Sequence, residues 1–111
     1  MLYVILADDA PGSEARRAAA RAAHMARMAQ MEESGRLVIS GPRLRRDLPE
    51  PAAAGIAGSL IIAEFESLQA AREWADADAY VAAGVWTNVT VQPFHRGFGG
   101  LTAPRSDDAA R

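Results

Sequence analysis

The apolar positions of this chain fall into four short, dense runs separated by one long and one shorter helical stripe. Leu2 to Ala7 (LYVILA) is apolar throughout and is closed by Asp8 and Asp9, the pattern of a strand buried on both faces. Leu37 to Ser40 (LVIS) is a second strand, which Gly41-Pro42 is expected to end. Ser59 to Glu66 (SLIIAEFE) is a third. There Leu60, Ile62 and Glu64 share one face, and Ile61, Ala63 and Phe65 the other. Asn88 to Phe94 (NVTVQPF) alternates with period two and forms the fourth, with Pro93 implying an edge or a strand end.

Between the first two strands, Ser13 to Gly35 is rich in alanine, arginine, methionine and glutamate, with no internal proline or glycine. These are strong helix formers. Pro11-Gly12 turns the chain before it, Ser13 is placed to cap its start, and Gly35 suits the left-handed residue that closes it. Residues three or four apart share a helix face, so Arg17, Arg21, His24, Met28 and Met31 form one stripe, basic at its start and apolar at its end. His24 stands where the halves meet. Ser67 caps a second helix from Leu68 to about Asp76, and Asp78 to Gly84 is a further helical turn with Asp78 as its cap. Arg43 to Gly58 has no sustained period and reads as a long loop, a candidate lid.

The order is β-α-β-β-α-β. With right-handed crossovers it predicts an α+β, ferredoxin-like fold: a four-stranded antiparallel sheet with both helices on one face. Helices then cover one sheet face only, yet strands one and three are apolar on both. An uncovered apolar face is an association surface, so the chain is expected to form a homodimer packed sheet on sheet, or a higher oligomer built from it. The domain is expected over residues 1–98, and residues 99–111 form a weakly ordered tail with few apolar positions.

Composition narrows the function classes. The 111 residues are half apolar and 23% charged, a globular profile for one domain. A net charge of −2 provides no global field for nucleic acid or an anionic membrane, and the basic run Arg43 to Arg46 lacks interleaved aromatics. Without cysteine there is no disulfide, thiolate metal site or cysteine nucleophile. No run approaches the roughly 20 apolar residues of a membrane span, and the opening apolar run is too short for a secretory signal, so a cytoplasmic location is the expectation.

The candidate chemistry rests on few residues. Leu68, Ala71, Ala75 and Asp78 fall on one helical stripe, which turns Asp78 inward, either as a local cap or as a functional carboxylate. His24 reads either as a hydrogen-bonded core residue or as a proton-transfer group, for which Asp78 is the best partner. Arg17 and Arg21 lie on its face and suit a carboxylate or phenolate. The two histidines, His24 and His95, have no metal-ligand spacing, and neither a nucleophile elbow nor a phosphate loop surrounds Ser59 or Gly58.

Several segments together resemble the YciI-like (YCII-related) proteins of the dimeric α+β barrel group. They are LYVILADD, Arg17-x-x-x-Arg21-x-x-His24-Met25, Gly35-Arg36-Leu37 to Gly41-Pro42, and Ala54-Gly55-Ile56-x-Gly58-Ser59. They continue with Ile62 to Ser67, Trp74 to Val85, and Val91-x-Pro93-Phe94. The resemblance implies a dimer with a pocket beside the sheet and a suspected His-Asp active site, which maps onto His24 and Asp78, with Ser59 in the same pocket. The family's usual Asp-Pro-Tyr is here Asp78-Ala79-Tyr80, which keeps the aspartate and loses a pre-set first helical residue. A few relatives are dehydrochlorinases or related lyases on chlorinated hydroxyquinols. The expectation is therefore a cofactor-free lyase or isomerase acting on a small cyclic or aromatic molecule. His24 and Asp78 would be catalytic, Arg17, Arg21 and Ser59 would bind substrate, and no metal would take part. The alternative is a dimeric module that binds a small ligand without turnover, or a structural dimer.

Overall fold

The computed structural model describes residues 1–99, and its elements are β1 (Leu2–Asp9), α1 (Glu14–Glu33), β2 (Leu37–Leu44), α2 (Pro51–Ala54), β3 (Ile56–Glu64), α3 (Leu68–Asp76), α4 (Ala79–Ala82) and β4 (Trp86–Phe94). Of the tail expected over 99–111, all but Gly99 lies outside the described residues. The four strands form one antiparallel sheet in the order β2-β3-β1-β4, the ferredoxin-like α+β arrangement that the apolar runs imply. Among the described residues, no helix is long and apolar enough to cross a membrane.

Side-chain alternation assigns the two faces. In β1, Tyr3, Ile5 and Ala7 are buried, and their partners across the sheet include Ala63, Ile61 and Ser59 on β3 and Val91 on β4. Met28 and Met31 of α1 and Ala71 and Ala75 of α3 join them in one core. Fully burying a side chain of this size is worth about 1.5–3 kcal/mol, so the methionine end of the α1 stripe anchors the helix. The opposite face carries Val4, Leu6, Leu60 and Ile62, all partly exposed and paired with one another, and Ile39 opposite Ile62.

Several element boundaries differ from those expected. β2 runs through Gly41-Pro42 to Leu44 instead of stopping there. It is an edge strand, where a proline's missing N–H is tolerated. β3 starts at Ile56 rather than Ser59 and ends at Glu64 rather than Glu66, while β4 starts at Trp86. The long loop contracts accordingly to 45–55, and it contains the single turn α2, begun by Pro51. Ser13 stands at the start of α1, but its side chain makes no capping bond. Its backbone is not extended (φ −94°, ψ 9°), so the hydroxyl is not presented to the first turn. Ser67 does cap α3, accepting from the Ala70 N–H at 3.0 Å, and Gly35 takes the left-handed φ of 76°.

One end of the sheet is tied by side chains. Arg43 of β2 reaches across β3 over Gly58 to the Ala7 carbonyl of β1 (2.6 Å) and the Asp8 carboxylate. A Cβ at position 58 would collide with the Ala7 carbonyl oxygen and the Arg43 guanidinium, so the crossing needs glycine there. Asn88 of β4 donates to the other Asp8 oxygen at 3.2 Å. The Arg43 hydrogen bond first, then that from Asn88, holds the Asp8 carboxyl below its usual value.

Candidate active site

Four elements converge at one place. The inward face of α1 supplies Arg17, His24 and Arg27; the turn into α4 supplies Asp78 and Tyr80; the end of β1 supplies Asp9; β3 supplies Ser59. Asp78 is fully buried. α3 ends before it, and Asp78 is the N-cap of α4, where its Oδ1 accepts the Tyr80 N–H at 2.9 Å. The capping and partnering readings of Asp78 therefore coexist.

The same carboxylate lies 3.0 Å, through both oxygens, from Nδ1 of His24. Arg27 donates to its Oδ2 at 2.8 Å, donates to the Trp74 carbonyl at 2.6 Å, and stacks its guanidinium over the Trp74 ring. Burial alone would raise the Asp78 pKa. The hydrogen bonds from His24 and the Tyr80 N–H, with the charges of His24 and Arg27, outweigh it and hold the pKa below the ordinary value. An ionised carboxylate only accepts, so Nδ1 of His24 carries the proton and Nε2 has the lone pair in the neutral ring. Nε2 has no hydrogen-bond partner among the described residues. The ring lies flat on Tyr80, centroids 4.2 Å apart, with the edge of Trp86 against it.

A second network surrounds Arg17. Its Nε donates to Asp9 (2.8 Å), Nη1 to the Tyr80 hydroxyl (3.3 Å) and Nη2 to the Ser59 hydroxyl (2.9 Å). Burial raises the Tyr80 pKa, partly offset by Arg17 and Arg21, so the phenol stays protonated at neutral pH. Asp9 Oδ1 and Trp86 Nε1 are buried without a partner among the described residues.

His24, Tyr80, Ser59, Arg17 and Arg21 line a cavity of about 370 Å³. Pro51 of α2 also lines it, so the segment between β2 and β3 forms part of the wall. A neighbouring cleft of about 310 Å³ shares Arg17, Arg21 and Pro51 and adds Asp9. A larger, more open hollow of about 610 Å³ between Met1, Arg36, Phe65 and Trp74 holds none of these groups.

The five residues singled out from the sequence thus border one cavity or, for Asp78, stand directly behind it. Their contacts are unequal. Arg17 is engaged by three protein groups, whereas Arg21 is exposed at the rim. Sequence reasoning passed over Arg27, Asp9 and the Tyr80 hydroxyl. Arg27 lies one turn after His24 on the same helix face, a usable signal. Asp9 carried none, because its partner Arg17 comes from the following helix.

A family model described as the YCII-related domain matches residues 1–95. Protein YciI of Escherichia coli O6:H1 is 52% identical over 98 residues, which span 88% of this chain and 100% of that protein. An uncharacterized protein of Haemophilus influenzae is 46% identical with the same coverage of 88% and 100%. Among solved structures, 5-chloro-2-hydroxyhydroquinone dehydrochlorinase from Burkholderia phenoliruptrix, in complex with 2,5-dihydroxybenzoquinone, is similar with a TM-score of 0.79 and 27% identity. The match covers 87% of this chain and 96% of that one.

Proposed function

This chain belongs to the YCII-related domain family, and from that premise we propose that it is a cofactor-free acid–base enzyme, of lyase or isomerase type, acting on a small cyclic or aromatic substrate. The observation that carries the reading is the His24 ring, whose Nδ1 is held by a buried, ionised Asp78 while the ring borders the cavity. Such a ring takes a proton on Nε2 and returns it to another atom of the same substrate. For loss of HX from a hydroxylated ring, His24 delivers a proton to the carbon carrying X. Two ring hydroxyls then give up their protons, one to His24 Nε2 and one to solvent, and X departs with its bonding pair, so that the net loss is HX. Ser59 and Arg21 hold the substrate oxygens, while Arg17 orients the Ser59 hydroxyl. The solved dehydrochlorinase of the same fold supports this choice of reaction class.

Chloride release from 5-chloro-2-hydroxyhydroquinone tests it, since that compound is named as the substrate of the similar enzyme. Wild type is expected to accelerate release, and His24→Gln to abolish the acceleration. Ligand binding with no turnover by wild type would favour the non-catalytic binding module.

The chain also acts as a sheet-to-sheet homodimer in this reading. Val4, Leu6, Leu60 and Ile62 support it: they form a contiguous apolar row on the sheet face that no helix among the described residues covers.

A further inference from the structure

We infer that Tyr80, with Ser59, is the binding site for a substrate oxygen that becomes anionic, which makes the substrate a phenol or enol taken up as its conjugate base. This rests on the acid–base reading of the site and assigns Tyr80 a direct substrate contact.

The inference comes from where the protons of two hydroxyls must go. Arg17 donates to Tyr80 Oη and to Ser59 Oγ, so each oxygen is an acceptor in that bond. Each keeps its own O–H to donate, and neither has an acceptor among the described residues. Both side chains line the cavity that His24 borders. Both are buried, Tyr80 at 1% and Ser59 at 5% exposure, where an undonated hydroxyl proton has little water to turn to. The cavity wall therefore carries two O–H donors, both held by Arg17, beside a proton acceptor.

Arg17 is not itself the anion's partner. Three of its N–H groups are engaged by Asp9, Tyr80 and Ser59, and the Asp9 carboxylate balances its charge. It is a positioning residue. By donating to both hydroxyl oxygens it orients and polarises their O–H bonds, a cooperative effect that strengthens them as donors. The raised pKa of Tyr80, caused first by burial, keeps its proton in place for donation. When His24 removes a proton from carbon next to a carbonyl or from the hydroxyl of a phenol, charge collects on oxygen. A pre-oriented donor pair at that oxygen is the arrangement that lowers such a barrier.

The test uses para-nitrophenol, whose phenolate is coloured and whose phenol is not, added to the full chain across a pH series. Wild type is expected to bind phenolate about tenfold tighter than phenol, which lowers the apparent pKa of the bound probe by about one unit. Tyr80→Phe keeps the ring stacked on His24 and is expected to lose most of that shift; Ser59→Ala is expected to lose part of it. The charged groups Arg17, Arg21, Asp9 and Asp78 and the titratable ring of His24 are present in both variants, so their effect is common to the comparison. Near-ultraviolet circular dichroism checks that the aromatic cluster is intact, and Ser59→Ala carries the test if Tyr80→Phe does not fold. Equal binding of the two probe forms by wild type, no binding of either, or a wild-type shift in the folded variants would overturn the inference. Turnover is not read. A protein that prefers phenolate but proves inactive would keep this inference and remove the acid–base reading.

Discussion

The His24 imidazole lies on the Tyr80 ring with centroids 4.2 Å and planes 18° apart, while its Nδ1 sits 3.0 Å from both oxygens of Asp78. One residue, Asp78, fixes both members of the stack. It accepts from the His24 ring and from the Tyr80 backbone N–H. The local act of capping α4 and the act of holding the histidine are performed by the same carboxylate, which ties the geometry of the cavity wall to a helix start.

Removing that carboxylate therefore has a large predicted cost. Asp78→Ala takes away a cap and leaves Arg27 and His24 without their buried acceptor. Unfolding in denaturant is expected to show a loss of about 3 kcal/mol or more, in the range for breaking a buried ion pair. Asp78→Asn retains an oxygen for the Tyr80 N–H and is expected to lose less.

Acid stability follows from the same group. The Asp78 pKa lies below the ordinary 3.8, so its contribution is fully present above that value and is lost as pH falls through the folded-state pKa. Thermal unfolding followed into the acid range is expected to show stability falling below about pH 3.8, with a shallower fall in Asp78→Asn. Asp8 is lowered too, by Arg43 and then Asn88, but its side chain is 52% exposed. Asp8→Asn is thus expected to change the acid slope less than Asp78→Asn.

At the tied end of the sheet, Gly58→Ala puts a methyl against the Ala7 carbonyl and the Arg43 guanidinium. Denaturant unfolding is expected to report a loss of about 1–3 kcal/mol, the usual cost of overpacking. Adding Arg43→Ala is expected to recover only part of it, because the Ala7 carbonyl remains. Full recovery would show that the arginine alone sets the requirement for glycine.

Much of the fold was legible because dense apolar runs mark strands whatever their exact ends, and a three-to-four spacing marks the α1 face. The misreadings have physical causes. Gly41-Pro42 looked like a stop because proline cannot donate within a sheet, but an edge strand has an outward side where no donor is needed. α2 is a single turn, too short to show any period. The His24–Asp78 pairing was reachable from helix spacing and the resemblance. Arg27 was on the same face and still unread, because a helical arginine has an easier role in solvent. The Asp9–Arg17–Tyr80 chain joins a strand end, a helix and a later turn, and only the folded arrangement brings them together.

The apolar sheet face of Val4, Leu6, Leu60 and Ile62 yields a prediction about assembly. Sedimentation is expected to find wild type as a dimer and Ile62→Lys, which places a charge in the middle of the apolar row, as a monomer with its fold retained. A monomeric wild type would contradict the sheet-to-sheet dimer.

The proton transfer proposed for His24, to and from carbon or oxygen of a bound small molecule, is open to measurement. Its most direct measurement is exchange of solvent deuterium into the ring C–H positions of hydroxyhydroquinone, followed by proton NMR with wild type, His24→Gln and buffer alone. Wild type is expected to accelerate exchange about 10²-fold or more over buffer, the low end for positioned acid–base groups, and His24→Gln to exchange at the buffer rate. Exchange by wild type no faster than in buffer, or equally fast in wild type and His24→Gln, would contradict it.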